Sequence, residues 1–166
     1  MAAKGDVGNH LGVILPSYPG KSRSRCGVAQ ERGRVEEHRQ VRLELLRRVR
    51  RATQSRDPTV RLEGRIARRL RRSLRAFQQE VRVQGRLVGE IDVELETAII
   101  EVTSGKGRKK ARQIQRLLHN YDLNPTGKPV VMFGPQVRRG LVRQLEESGA
   151  SVVQTLNELE AWVGQQ

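Results

Sequence analysis

The sequence predicts an α/β domain with a mixed central sheet, preceded by a basic helical region, and three observations predict it. The spacing of apolar residues changes from a period of 3.6 to a period of 2 near residue 80. Residues 98–102 (Ala-Ile-Ile-Glu-Val) are continuously apolar except for one carboxylate, a pattern that suits a central strand covered on both faces. Beyond them helical and strand patterns alternate. From residue 59 the order reads α-β-β-β-α-β-α-β-α, a layered arrangement of helices on a sheet.

Residues 1–33 mix Gly, Ser, Pro and Arg and read as an N-terminal arm or docking peptide. A basic amphipathic helix is expected within 34–56, where Val41, Leu45 and Val49 recur at helical spacing between arginines. Asp57-Pro58 ends it, and a second helix starts near Thr59 with Asp57 or Thr59 as N-cap. On that helix Glu63, Ala67, Leu70, Leu74 and Phe77 share one stripe, and arginines take the opposite side. Glu63 lies in its first turn, where a carboxylate favours the helix dipole and still reaches water.

Strands are expected over 80–83 and 87–95, turned by Gln84-Gly85. In the second, Leu87, Gly89, Ile91, Val93 and Leu95 point to one face, while Val88, Glu90, Asp92 and Glu94 point to the other. A third strand covers 97–103. A helix over 108–120 follows, with Ala111, Ile114, Leu117, Leu118, Tyr121 and Lys110 on its inner side. Then come a buried strand over 130–133, a helix stopped at Gly149, and a strand over 150–154. Thr155-Leu156-Asn157-Glu158 has the spacing of a capping box for a terminal helix. The domain proper is thus expected over 57–166.

Size and charge narrow the function. A length of 166 residues fits one domain with an appendage. Hydrophobic residues make up 36% and aromatics 3%, so the core rests on Val, Leu and Ile, and no platform of aromatic rings is expected. One cysteine, Cys26, and the scattered histidines His10, His38 and His119 assemble neither a disulfide nor a zinc site, which fits a reducing, cytoplasmic site of action. No apolar run approaches the roughly 20 residues of a membrane span, and no secretory signal is read at the N-terminus.

Residues 1–80 carry 20 Lys and Arg against 8 Asp and Glu, residues 81–166 carry 12 against 10, and the chain has a net charge of +14. Charge this positive and this uneven favours a partner rich in phosphates, nucleic acid before anionic membrane. Arg47, Arg48, Arg50, Arg51, Arg68, Arg69, Arg71, Arg72 and Lys109 offer phosphate contacts that carry no sequence information.

Two carboxylates stand out against this background. Glu101 falls in a buried strand and Asp92 one strand earlier, where an ionised group is costly without a partner. Carboxylates on adjacent strands repel, and the repulsion becomes useful when a hard cation such as Mg²⁺ sits between them. With a basic surface to hold substrate, the pattern points to metal-assisted hydrolysis of a phosphodiester.

The stretch Gly89-Glu90-Ile91-Asp92-Val93, followed by Ile99-Ile100-Glu101-Val102-Thr103-Ser104-Gly105-Lys106, with Glu63 on a preceding helix and a Lys-rich helix start, resembles the PD-(D/E)xK nuclease superfamily over about residues 59–166. The resemblance implies a restriction-endonuclease-like α/β/α sandwich and a Mg²⁺- or Mn²⁺-dependent endonuclease acting on DNA or RNA. It also implies that Glu63, Asp92 and Glu101 bind the metal. The family's lysine lies two residues after the strand glutamate and stabilises charge on the attacked phosphate. This chain has Thr103 there, so Lys106 or Lys110 is the candidate replacement. Gln113 occupies a part of its helix where many relatives place a polar residue, and Glu90 shares strand parity with Asp92; both are auxiliary candidates.

Within the superfamily the chain is most similar to nuclease domains of bacterial polymorphic and contact-dependent toxins, and next to junction resolvases. The toxin resemblance implies delivery into a target cell and a dedicated immunity or inhibitor protein. A junction or repair nuclease is one competing reading. A non-catalytic nucleic-acid-binding protein that keeps the fold is another, with Thr103 as its main support. The basic helix leaves a homodimer open beside phosphate contact.

Overall fold

The structure, a computed structural model, describes residues 25–166, with side chains from residue 34 onward. Of the arm expected over 1–33, residues 1–24 lie outside the described residues. Contacts divide the chain between Glu37 and His38. In the first unit the described residues, 25–37, are helical. They belong to α1 (Arg25–Thr53), which starts well before residue 34. Residues 25–33 are therefore helical, in keeping with the Ala, Gln, Glu and Arg among them.

In the second unit, α2 (Pro58–Arg69) opens on Asp57, whose Oδ1 accepts the N–H groups of Thr59 at 2.7 Å and Val60 at 3.1 Å. Pro58, which has no N–H to satisfy, takes the first helical position. The helix ends at Arg69 and does not run on through Leu74 and Phe77 as their spacing suggested. Those two residues belong to β1 (Leu74–Val83), which is longer than the strand expected over 80–83. A β-bulge explains the misreading: Leu74 opposes Leu95 and Phe77 opposes Val93, so four positions on one strand match three on the other. Both side chains then enter the same core, as they would have on a helix.

β1 turns into β2 (Arg86–Leu95) through Gln84 and Gly85, with φ of +49° and +80°. Two successive positive φ values make the mirror-image turn whose twist matches a two-residue hairpin. The chain continues through β3 (Ile99–Val102), α3 (Arg108–His119), β4 (Val130–Phe133), α4 (Arg139–Glu147), β5 (Ser151–Val153) and α5 (Leu156–Val163). The capping box forms at Thr155 and Glu158 as the spacing predicts. Tyr121, expected on the inner side of α3, lies past its end and is 77% exposed.

The strands make one mixed sheet in the order β1-β2-β3-β4-β5. β1, β2 and β3 are antiparallel neighbours, whereas β3, β4 and β5 run parallel, joined by α3 and α4. Side-chain alternation along β3 and β4 divides the apolar residues into two cores. Ile100, Val102, Val131 and Phe133 pack with Val49, Ile66 and Leu159 of α1, α2 and α5. Ile99, Val130 and Met132 pack with Ile114, Leu117 and Leu145 of α3 and α4. In β2 the expected alternation is interrupted. Val93 and Leu95 join the first core but Ile91 joins the second, so the strand changes face at Asp92.

Among the described residues, no helix is long and apolar enough to cross a membrane. α1 is tied to the sheet by arginines: Arg48 donates to the carbonyls of Phe77 at 2.7 Å and Gln78 at 2.9 Å, and Arg42 to those of Leu74 and Arg71. It approaches α2 closely at Gly64. A Cβ there would stand 2.6 Å from the backbone nitrogen of Thr53 and 2.9 Å from the Cβ of Ala52. Backbone cannot yield as a side chain can. Gly64→Ala is expected to lower stability by about 1–3 kcal/mol, read as a lower urea midpoint with unchanged slope.

Candidate active site

Asp92 on β2 and Glu101 on β3 are 3% and 0% exposed. The antiparallel register pairs Val93 with Ile100, which sets the two carboxylates beside each other on the neighbouring position. Burial of two like charges at this spacing demands compensation, and it comes from α3. Lys110 Nζ donates to Asp92 Oδ1 at 2.7 Å, to Asp92 Oδ2 at 2.6 Å and to Glu101 Oε2 at 3.0 Å. Asp92 Oδ2 also accepts the backbone N–H of Val102 at 2.7 Å. Glu101 Oε1 is buried with no hydrogen-bond partner.

Sequence alone left Lys106 and Lys110 as alternatives. Lys110 lies among the carboxylates, while Lys106 is exposed on the loop before α3. Burial acts to lower the Lys110 pKa, but Glu101 and Asp92 together raise it above the ordinary lysine value, so the amine stays charged. Glu101 is displaced upward, first by burial and then by Asp92, with Lys110 offsetting only part of this.

Glu63 is not in the first turn of α2: it stands on the sixth residue of the helix and is 5% exposed. Two contacts place it. The Thr59 and Ser104 hydroxyls meet at 2.7 Å, tying the start of α2 to the loop after β3. Gln78 Nε2 donates to Glu63 Oε2 at 2.8 Å. Burial pushes the Glu63 pKa from 4.5 to about 7, and Asp92 and Glu90 push the same way against Gln78 and Lys110. Gln78 has a φ of +48°, a left-handed backbone inside a strand, which is strain kept at a polar contact. No periodicity or motif marked Gln78, because the only signal is that unusual backbone.

The other candidates fall elsewhere. Gln113 Nε2 donates to the Glu90 carbonyl at 2.6 Å, so it braces β2. Glu90 itself is exposed and reaches the site only through its charge on Glu63. Glu94 receives Lys128 Nζ at 2.5 Å, away from Asp92. Thr103 sends its N–H to the Phe133 carbonyl and accepts that of Gly105, so it shapes the loop rather than replacing a lysine. Lys109 is exposed on the first turn of α3.

The arginine rows divide as well. Arg48 holds β1, Arg69 pairs with Glu160 at 2.5 Å, and Arg51 and Arg47 share Glu44 at 2.8 Å and 3.5 Å. Arg68, Arg71 and Arg72 line an open groove of about 720 Å³, and Arg50 lines its neighbour.

Comparison of the chain with protein-family models, with curated proteins and with solved structures finds no match in any of the three. The site must therefore be read from its own chemistry. Three carboxylates against one ammonium leave a formal charge of −2 in a largely dry space. Protons or a divalent cation would neutralise it.

Two substitutions should move stability in opposite directions. The folded pKa of Glu63, about 7, lies above the ordinary 4.5, so its favourable contribution is complete below pH 4.5 and is lost as pH rises through 7. Glu63→Gln should therefore raise the unfolding free energy by on the order of 2 kcal/mol at pH 8 and by little at pH 5. Lys110→Met strands two buried acids and should cost about 3 kcal/mol at pH 8, less at pH 5 where Glu101, displaced upward, binds a proton. Urea midpoints of both variants at the two pH values check this.

Proposed function

We propose that the chain is a metal-dependent nuclease of the PD-(D/E)xK type, hydrolysing phosphodiester bonds of DNA or RNA. One observation carries the reading: Asp92 and Glu101, buried on adjacent strands, share the Lys110 ammonium and leave Glu101 Oε1 unpartnered. A core that needed only stability would not bury this set, since apolar residues of the same volume are as stable or more so. The element order from α2 to β4, with an antiparallel β1-β2-β3 and a parallel β3-β4, supports the restriction-endonuclease-like sandwich as the finer fold.

The donor chemistry suits a hard cation. Every candidate ligand is a carboxylate oxygen, one oxygen is orphaned, and the formal charge is −2. Among the described residues no three acidic, histidine or cysteine side chains form a ready cage, and Asp92 and Glu101 share the Lys110 ammonium. Asp92 and Glu101, with Glu63 beside them, would hold Mg²⁺ or Mn²⁺, which supplies a Lewis acid at a phosphodiester. Lys110 presents a permanent positive charge where charge grows on the attacked phosphate. Glu63, with Gln78 on Oε2, offers Oε1 to take up a proton near neutral pH.

In biological setting we favour a toxin-type effector with a cognate inhibitory protein over a junction or repair nuclease. The non-catalytic binder keeps one observation in its favour: Thr103 stands at the family's lysine position and serves the loop.

Cleavage of plasmid DNA, single-stranded DNA, tRNA and structured junctions in Mg²⁺, Mn²⁺ or EDTA decides among these. The wild type is expected to cut at least one substrate only with metal, and Asp92→Ala or Glu101→Ala to lower the rate by roughly 100-fold or more. Binding that persists in EDTA without cutting of any substrate would establish the binder instead. A separate expectation concerns the metal itself: Mn²⁺ should raise the melting temperature of Lys110→Met by more than that of the wild type, because the ammonium and the metal draw on the same oxygens.

A further inference from the structure

Arginine and lysine at helix ends need different explanations at the two ends. Cations at a helix C-terminus meet the negative end of the dipole and stabilise the helix; at an N-terminus they oppose it. Arg50 and Arg51 close α1, and Arg68 and Arg69 close α2. Those arginines, which the sequence singled out for phosphate, thus have a structural reason to be where they are.

A second basic groove has no such reason, and neither have Arg65, Arg71 and Arg72 of the first, but only the second adjoins the helix that carries Lys110. The second groove lies between α3 and α4, has a volume of about 530 Å³, and is lined by Lys106, Arg108, Arg112 and Arg138 together with Gln115 and Gln144. All four cations are exposed, no carboxylate lines the groove, and none of the four has an ion pair among the described residues. Four like charges around one concavity repel, and a bound anion would relieve that repulsion. Neither α3 nor α4 has an acid in its first turn or a side-chain cap, in contrast to α2 and α5.

The place matters as much as the charge. The loop 103–107 carries the chain directly from Glu101 to the groove, through Lys106, and Lys110 is on the same helix as Arg108 and Arg112. On an α-helix, residues two apart point to nearly opposite sides. Groove and carboxylates are therefore separated by about one helix diameter, ~10 Å, with Lys109 exposed on the same first turn. Both also lie at the ends where the parallel strands β3 and β4 finish, the edge at which open α/β sheets bind ligands.

We propose that the α3–α4 groove seats consecutive phosphates of the nucleic-acid strand that the Asp92–Glu101 site cuts, making Lys106, Arg108, Arg112 and Arg138 the substrate-binding cations. The substrate class rests on the nuclease reading; the anion site does not. Arginine favours phosphate oxygens through its planar fork of donors, and several in one groove follow a backbone without reading bases.

The test is fluorescence anisotropy with the full chain in EDTA, where no cutting interferes, using labelled 20-nucleotide single strands of DNA and of RNA. Arg112→Ser/Arg138→Ser is compared with Arg75→Ser/Arg86→Ser, two exposed arginines outside both grooves, each checked for an unchanged melting temperature. The groove variant should bind at least one strand about tenfold more weakly, with the slope of log K against log salt reduced by about 1.5, and the comparison variant should stay within twofold of wild type. The strand that loses most names the substrate as DNA or RNA. Equal loss in both variants, loss only in the comparison variant, or no binding of either strand by the wild type overturns the proposal. So does displacement by polyglutamate as effective as by unlabelled strand at equal charge, which assigns the groove to an acidic protein. Cutting by the wild type in Mg²⁺ or Mn²⁺ separates the two readings: its absence, with groove-dependent binding retained, sinks the nuclease and leaves the groove.

Discussion

Between two buried carboxylates, the ammonium of Lys110 is the interaction on which the middle of this protein depends. β2 and β3 are antiparallel neighbours, so Asp92 and Glu101 cannot avoid one another once the register is set by Val93 and Ile100. The cation must come from outside the sheet, and α3 delivers it because Gly107, with φ of +81°, turns the chain onto the helix just before Lys110. Register, loop and helix start therefore have to agree. Local opening of α3 would expose the acids to water and relieve their repulsion, which couples the stability of that helix to the ionisation of the sheet.

Much of this was legible in the sequence, and the reasons for the rest are physical. Asp92 and Glu101 were visible because a carboxylate inside a run such as Ile99-Ile100-Glu101-Val102 violates the usual composition of a buried strand. The hairpin at Gln84-Gly85, the Asp57 cap and the Thr155 box were visible because turns and caps demand particular residues at fixed offsets. The join of α2 and β1 was not. A bulge gave a strand the spacing of a helix, and Leu74 and Phe77 are buried in either case. The choice between Lys106 and Lys110 depended on which way α3 faces, which spacing could suggest only as an inward tendency. Gln78 was hidden altogether, since a glutamine acquires its role here from a backbone angle.

The charge of the chain also proves to be several things at once. Summed over the first half it is a single excess of arginine, and the sequence offers no way to divide it. The structure does divide it, into guanidinium groups that hold carbonyls, groups that pair with glutamates, and groups that face solvent. Net charge is thus a poor guide to where a partner would bind, because part of a basic surface can be occupied with the protein's own acceptors.

β1 is paired on one side only, since it ends the strand order. Its free side is the kind of row of unused backbone groups from which chains add to one another in cross-β assemblies. Arg42 and Arg48 of α1 take the carbonyls of Leu74, Phe77 and Gln78. This stretch of α1 therefore acts as a guard rail at that edge: it occupies acceptors a foreign strand could use and surrounds them with like charge, which works against pairing of two copies of this highly basic molecule through β1.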